Sequence, residues 1–198
     1  MYAYASNNPI KYTDPDGRTQ VYFLYTYKKD SFYDQQMLQD EWSSIMDDVK
    51  KLRANGISVV VNLAATKEDI INAFKDEEAI LVVTSGHGYE DGSIQTTDRL
   101  HFYPDDIPDE ISENLKTVVM ENCCQEGSKW YKNENGIKWR NKLGSKVKFI
   151  GWKGTTTKYE SINFNSRGWF DRQKQALYQL VDEVIANSKK QKEENYAE

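Results

Sequence analysis

Residues 79–88 read AILVVTSGHG, and residues 117–127 read TVVMENCCQEG. Each is a short run of β-branched and apolar residues that stops in a polar turn, the pattern of a strand buried on both faces of a sheet. The first ends on His87, one of only two histidines, set between Gly86 and Gly88; the second carries both cysteines, Cys123 and Cys124. Outward from these two runs, strand and helix patterns alternate. Gln20–Tyr27 is β-branched and aromatic, and so reads as a strand. From Asp30 to Asn55 the residues Leu38, Trp42, Ile45, Val49 and Leu52 recur at helical spacing, with Gly56 as the stop signal. Ile57–Asn62 is a further strand, and Thr66 with Asp69 forms a capping box for a helix running to about Glu77. The two quoted runs predict strands over Ala79–Thr84 and Thr117–Glu121. A hairpin is expected over Gly92–Phe102 and a short acidic helix or loop over Asp105–Leu115. A helix from Ser128 to Leu143 should break near Gly136, and Val147–Gly151 is a last strand. A final helix over Ser166–Lys189 directs Phe170, Leu177, Leu180, Val181, Val184 and Ile185 inward. Strands separated by helices predict an α/β fold, a mainly parallel sheet of about five or six strands covered on both faces by helices. Working groups then collect in the loops beyond the carboxyl ends of the strands, where both quoted runs end.

Composition narrows the partners. The chain has 198 residues, 38% of them hydrophobic, and a net charge of −5, so it suits a single domain and lacks the basic excess that phosphate binding requires. Nucleic acid is therefore not an expected partner. No apolar run approaches the roughly 20 residues of a membrane span. The N-terminus has neither the charged region nor the apolar core of a signal peptide, which leaves the cytoplasm as the expected place of synthesis. Adjacent cysteines rarely form an unstrained disulfide, and two cysteines with two dispersed histidines make no zinc site. Neither a metal nor another cofactor is expected.

The side chains at the two strand ends suggest nucleophilic chemistry. A cysteine needs a base or an imidazolium beside it to act as thiolate, and an imidazole so placed can return the proton to a leaving amine. His87 and Cys124 are the expected catalytic pair. Gly86 permits a sharp turn, and Gly88 presents an open N–H that, with the N–H of Cys124, could form an oxyanion hole. Cys123 is the alternative nucleophile. His101 reads as structural, and Asp105, Asp106, Asp109 and Glu110 as a solvated acidic face. No third catalytic residue is evident.

Two resemblances sharpen these expectations. Residues 2–18, YAYASNNPIKYTDPDGR, resemble the string that closes the core of RHS/YD-repeat proteins, ahead of a variable C-terminal effector domain. The motif positions Asn7-Asn8-Pro9 and Asp14-Pro15-Asp16-Gly17 carry the likeness. It implies an N-terminal arm over 1–18, an effector domain over 19–188 and a charged tail over 189–198. It also implies a bacterial polymorphic-toxin setting, export as part of an RHS-type effector, and a cognate immunity protein as partner. The TSGHG and ENCCQEGS motifs resemble the S-G-H-G and D-C-C-H-S-G-S motifs of caspase-like cysteine peptidases, clan CD, metacaspases above all. That resemblance implies a caspase-like three-layer sandwich and an endopeptidase working through a thioester on a protein or peptide substrate. Gln125 and Glu126 stand where metacaspases have histidine and serine, and the His-to-Cys separation is shorter than the roughly 50 residues of caspases. Aligning C-x-x-G on Gly127 makes Cys124 the nucleophile and turns Cys123 into the sheet–helix interface. Aligning the strand on the caspase Q-A-C-R-G form makes it Cys123. The family pocket is lined by the loop after the fifth strand, here Trp152 and Lys153, and Lys153 would favour an acidic side chain before the scissile bond. The rival readings are a transferase or deamidase on the same dyad and a non-catalytic caspase-like binding scaffold.

Overall fold

The computed structural model describes residues 19–127, 132, 134–152 and 179–190. The arm at 1–18, Lys153, the start of the last helix with Phe170 and Leu177, and the end of the tail lie outside the described residues. Five parallel strands form one sheet in the order β2-β1-β3-β6-β7: β1 is Gln20–Tyr25, β2 Ser58–Asn62, β3 Ala79–Gly86, β6 Thr117–Asn122 and β7 Lys148–Ile150. A two-stranded antiparallel hairpin, β4 (Ile94–Gln95) with β5 (His101–Phe102), stands apart from it. The helices are α1 (Phe32–Ala54), α2 (Lys67–Lys75) and α3 (Glu134–Leu143), followed by helical residues 179–190. This is the α/β fold with a parallel central sheet that the alternation implies, and it is in keeping with a caspase-like sandwich.

Strand alternation divides the core in two. Val21, Phe23, Tyr25, Leu81, Val83 and Val119 face α1 and the C-terminal helix, meeting Leu38, Ile45, Val49, Leu52, Leu180, Val181 and Ile185. The predicted stripe on α1 is thus buried, with Trp42 partly covered at its edge. Leu24, Val82, Val118 and Met120 face the opposite way, onto Ile70, Phe74, Phe102, Trp139 and Phe149 from α2, β5, α3 and β7. Trp139 is fully buried and stacks on Phe102 and Phe149 at ring distances of 5.9 and 6.2 Å.

Local signals set most boundaries. Ser31 caps α1, its hydroxyl accepting from the Asp34 amide, and the Thr66–Asp69 capping box forms as expected. Three expectations are corrected. β3 runs two residues further than Thr84, to Gly86, because Ser85 and Gly86 stay paired with Glu121 and Asn122 of β6. The helix after β6 does not break at Gly136. That residue lies in the first turn of α3, and its bare Cα leaves room for the Glu126–Arg140 ion pair across it. The acidic segment holds a single 3-10 turn, Pro104–Asp106, and its acids are not all solvated: Asp106 pairs with Lys67 at 2.7 Å and accepts from the Tyr103 amide at 2.7 Å.

The strand order reverses between β1 and β3. From β1 the chain crosses by α1 to the outer strand β2, then returns by α2 on the opposite face to β3. The loops that leave β1 and β3 therefore diverge at their carboxyl ends, the crevice where open α/β sheets hold ligands. Trp139 ties α3 to both the hairpin and β7, so Trp139→Ala should destabilise the fold by about 3–5 kcal/mol, measured by chemical denaturation. A loss below about 1 kcal/mol would show that this face of the sheet repacks.

Candidate functional site

Register carries the two quoted runs to the same place. β3 and β6 pair in parallel from Leu81↔Thr117 to Gly86↔Asn122, so the next residues, His87 and Cys123, leave adjacent strands side by side at the carboxyl edge. Gly86 has φ 150°, and a Cβ there would lie 2.1 Å from Thr26 Oγ1. Only glycine lets the chain turn here against β1.

Gly88 is placed more sharply still. Gln95 N donates to His87 O at 3.0 Å and Tyr89 N to Ser93 O at 2.9 Å, which brackets Gly88 and Ile94 as a non-hydrogen-bonded antiparallel pair. The Gly88 N–H therefore points away from the hairpin. The thiol loop packs on its Cα: a Cβ on Gly88 would sit 2.2 Å from Cys123 O and 2.6 Å from Cys123 N. Backbone meets backbone at this point, and no side chain fits between.

His87 has a partner that the sequence did not reveal. Its Nε2 lies 3.2 Å from Asp34 Oδ1, and its ring packs edge-on against Tyr27 at 5.8 Å between centroids. Asp34 is buried in the first turn of α1, where Oδ2 accepts from the Lys28 amide at 3.0 Å and Oδ1 from the Ser31 hydroxyl at 2.8 Å. Burial alone would raise this carboxyl. The Lys28 amide, the Ser31 hydroxyl and His87 outweigh it and hold Asp34 below its ordinary value, so it is ionised at neutral pH. An ionised acceptor at Nε2 fixes the ring and favours the tautomer with its proton there, leaving Nδ1 as the basic nitrogen. Ser31-x-x-Asp34 is the capped start of α1. That the start of α1 lies beside the end of β3 depends on β1 pairing with β3.

Further acids line the same face. Glu41 of α1 accepts from the Tyr27 hydroxyl at 2.6 Å and from the Ser85 hydroxyl at 2.5 Å. Glu121, paired in register with Ser85, is pushed up to about 8 by burial and by the Glu41 carboxylate.

The two cysteines are thiols, not a disulfide, and are 7% and 5% exposed for Cys123 and Cys124. Their backbones differ. Cys123 follows the last residue of β6 in a turn, and Cys124 takes a left-handed φ of 61°. Burial, then Cys123 and the Glu90 carboxylate, push the Cys124 thiol up to about 11. Buried amides hold the loop: Gln125 Nε2 donates to Cys123 O at 2.8 Å, Asn135 Nδ2 donates to Cys124 O at 2.9 Å, and Thr84 Oγ1 donates to Asn122 Oδ1 at 2.8 Å. Trp152 O accepts from the Glu126 amide at 2.9 Å, which ties the loop after β7 to the thiol loop. His101 packs between Tyr89 and Tyr103 with Nδ1 3.1 Å from the Ser93 hydroxyl, a hairpin strut.

Among the described residues no group of His, Cys, Asp or Glu is gathered to hold a metal ion, and no helix is long and apolar enough to cross a membrane. Compared with known proteins, the chain matches no protein-family model and no curated protein sequence.

The raised Glu121 carboxyl has a consequence for stability. Between its unfolded value, about 4.5, and about 8, the folded chain keeps a proton that the unfolded chain gives up. Stability from this group therefore falls as pH rises through that window, by at most about 1.4 kcal/mol per pH unit. Glu121→Gln should be stabilised relative to the parent increasingly from pH 4.5 to 8, read from denaturant midpoints. Parallel pH profiles for the two proteins would place Glu121 in water.

Proposed function

We propose that the chain is a caspase-like cysteine endopeptidase, the effector domain of an RHS-type toxin, with His87 as its acid–base group. The observation that carries this reading is the ordered trio of Asp34, His87 and the Gly88–Cys123 contact at the carboxyl edge of β3 and β6. Asp34 holds Nε2 of His87, and Nδ1 takes the thiol proton. The thiolate attacks the carbonyl carbon of the scissile amide, and the oxyanion accepts from the outward-pointing Gly88 N–H together with an amide of the cysteine loop. The imidazolium, stabilised by Asp34, gives its proton to the leaving amine. Water then hydrolyses the thioester with His87 again as base.

The geometry favours Cys123 over Cys124 as nucleophile. Cys123 follows the residue paired with Gly86, and its backbone lies against Gly88. Cys124 has a left-handed backbone, and its thiol is pushed up by burial, by Cys123 and by the negative charge of Glu90. One observation favours the non-catalytic reading instead: both thiols are nearly covered. Substitution separates the alternatives. In the full chain, Cys123→Ala and His87→Ala should abolish peptide hydrolysis without loss of folding, Cys124→Ala should chiefly lower stability, and Asp34→Asn should lower turnover by about 10²-fold or more. Loss of activity in a folded Cys124→Ala protein with activity kept in Cys123→Ala would make Cys124 the nucleophile. Acyl transfer to an added amine, or ammonia release, without hydrolysis would make the enzyme a transferase or deamidase. Iodoacetamide labelling of both thiols no faster than for a buried cysteine, with no turnover, would leave a binding scaffold.

The wall beside His87 also bears on specificity. Glu41 and Glu121 lie on its α1 side, and the proximity of Glu41 is one reason Glu121 holds its proton. A cationic side chain there would relieve the repulsion between them and let Glu121 ionise, whereas an acidic one would add to it. This favours a basic residue before the scissile bond, opposite to the expectation from Lys153. A peptide library should be cleaved after Arg or Lys, and Glu121→Gln should weaken that preference by about tenfold or more. A preference for acidic residues would remove both carboxyls from the pocket.

A further inference from the structure

Asn135 sits in the first turn of α3, outside both loops of the candidate site, and is fully buried. Its Nδ2 donates to two backbone carbonyls: Glu90 O at 2.8 Å, in the loop that follows His87, and Cys124 O at 2.9 Å, in the thiol loop. Both groups it faces are acceptors, so only the NH2 end of the amide can point at them, one proton to each loop. The seat is tailored on its other side as well. Gly92, at φ 84°, lies so close that a Cβ there would come within 2.9 Å of the Asn135 side chain. Asn135 Oδ1 is buried and has no hydrogen-bond partner among the described residues. A residue serving only to fill space would be cheaper without that orphaned acceptor. The two protons of Nδ2 are what the position retains.

The carbonyl held at one end belongs to Cys124, which has the left-handed φ of 61° that a β-branched or bulky residue avoids and that cysteine adopts only under constraint. The carbonyl held at the other end lies three residues after His87. We propose that Asn135 is a positioning residue: it fastens the loop after β3 to the loop after β6, holds Cys124 in its left-handed turn, and so sets the approach of His87 to Cys123. Gln125 completes the frame from within the thiol loop, its amide on Cys123 O and against Gly88. The proposal rests on the reading of His87 and Cys123 as a dyad, but the clamp itself is measurable without turnover.

The experiment uses the full chain with Asn135→Ala, Asn135→Ser and Asn135→Asp. Folding is followed by circular dichroism, iodoacetamide labelling of each cysteine is resolved by peptide mass from pH 5 to 9, and hydrolysis is followed on a cleavable peptide. Asn135→Ala should lower kcat by about 10²-fold with little change in KM, the scale of loss for a misplacement of about 1 Å. Labelling of Cys124 should rise about tenfold or more as its turn opens, an increase that simple unfolding would spread equally to Cys123. Asn135→Ser, keeping one donor, should fold and fall between the alanine variant and the parent. In Asn135→Asp an ionised carboxylate would face two carbonyls, so the loss should be as deep as in alanine at neutral pH and shrink on acidification, when the protonated acid again donates. Folded serine and aspartate variants with parental kcat and labelling would overturn the clamp, as would an aspartate variant that tracks the alanine variant at every pH. A parent that hydrolyses nothing would defeat the peptidase reading, while the labelling contrast at Cys124 would still decide the clamp.

Discussion

Everything at the candidate site depends on the parallel pairing of β3 with β6. Two antiparallel neighbours would send the ends of these runs to opposite edges of the sheet. Parallel pairing delivers both ends to one edge, and the register from Leu81↔Thr117 to Gly86↔Asn122 fixes how far each projects. That register is held from both faces, by Val83 and Val119 against the α1 side and by Val82, Val118 and Met120 against α2 and α3. A slip of one residue would send each of these side chains to the wrong layer. The apolar core thus sets the position of His87 relative to the cysteines, and Tyr27 of that core packs directly on the His87 ring.

Past the ends of the strands the chemistry changes abruptly, and it differs on the two sides of the sheet. Towards α1 the edge is acidic and phenolic: Asp34, Glu41 and Glu121 with Tyr25 and Tyr27, whose hydroxyls are held protonated by burial and by the nearby Glu41 carboxylate. Towards α3 it is built of side-chain amides: Asn122, Gln125 and Asn135. Each of these three has one buried atom without a partner among the described residues, Asn122 Nδ2, Gln125 Oε1 and Asn135 Oδ1. Buried polar atoms are normally satisfied, and a cluster of exceptions marks a place where local stability has been given up. Here the cluster surrounds the two thiols.

His87 belongs to both sides. Its ring reaches Asp34 on the α1 side, while the next residue, Gly88, packs on the cysteine backbone. The close approach at Gly88 leaves no volume for a side chain, and the hairpin bonds from Gln95 and Tyr89 on either side fix the direction of its N–H. The hairpin that follows His87 in the chain therefore orients a backbone donor of the site.

Sequence alone determined what short-range physics controls. The period of apolar residues set α1 and its buried stripe, Thr66 announced the start of α2, and the β-branched runs marked β3 and β6 with His87 and the cysteines at their ends. These features depend on neighbours within one or two turns of chain, so they can be read in order. What only the tertiary structure decided are contacts between residues far apart in the chain. Asp34 meets His87 because β1 lies next to β3. Glu41 reaches Glu121 across the helix–sheet interface, and Asn135 reaches back from α3 to Glu90. The different backbones of Cys123 and Cys124 arise in the same way, since two identical side chains in adjacent positions carry no local signal to tell them apart. Hydrophobic periodicity records which face of an element is covered, but not which element covers it, and the site is assembled from that second kind of information.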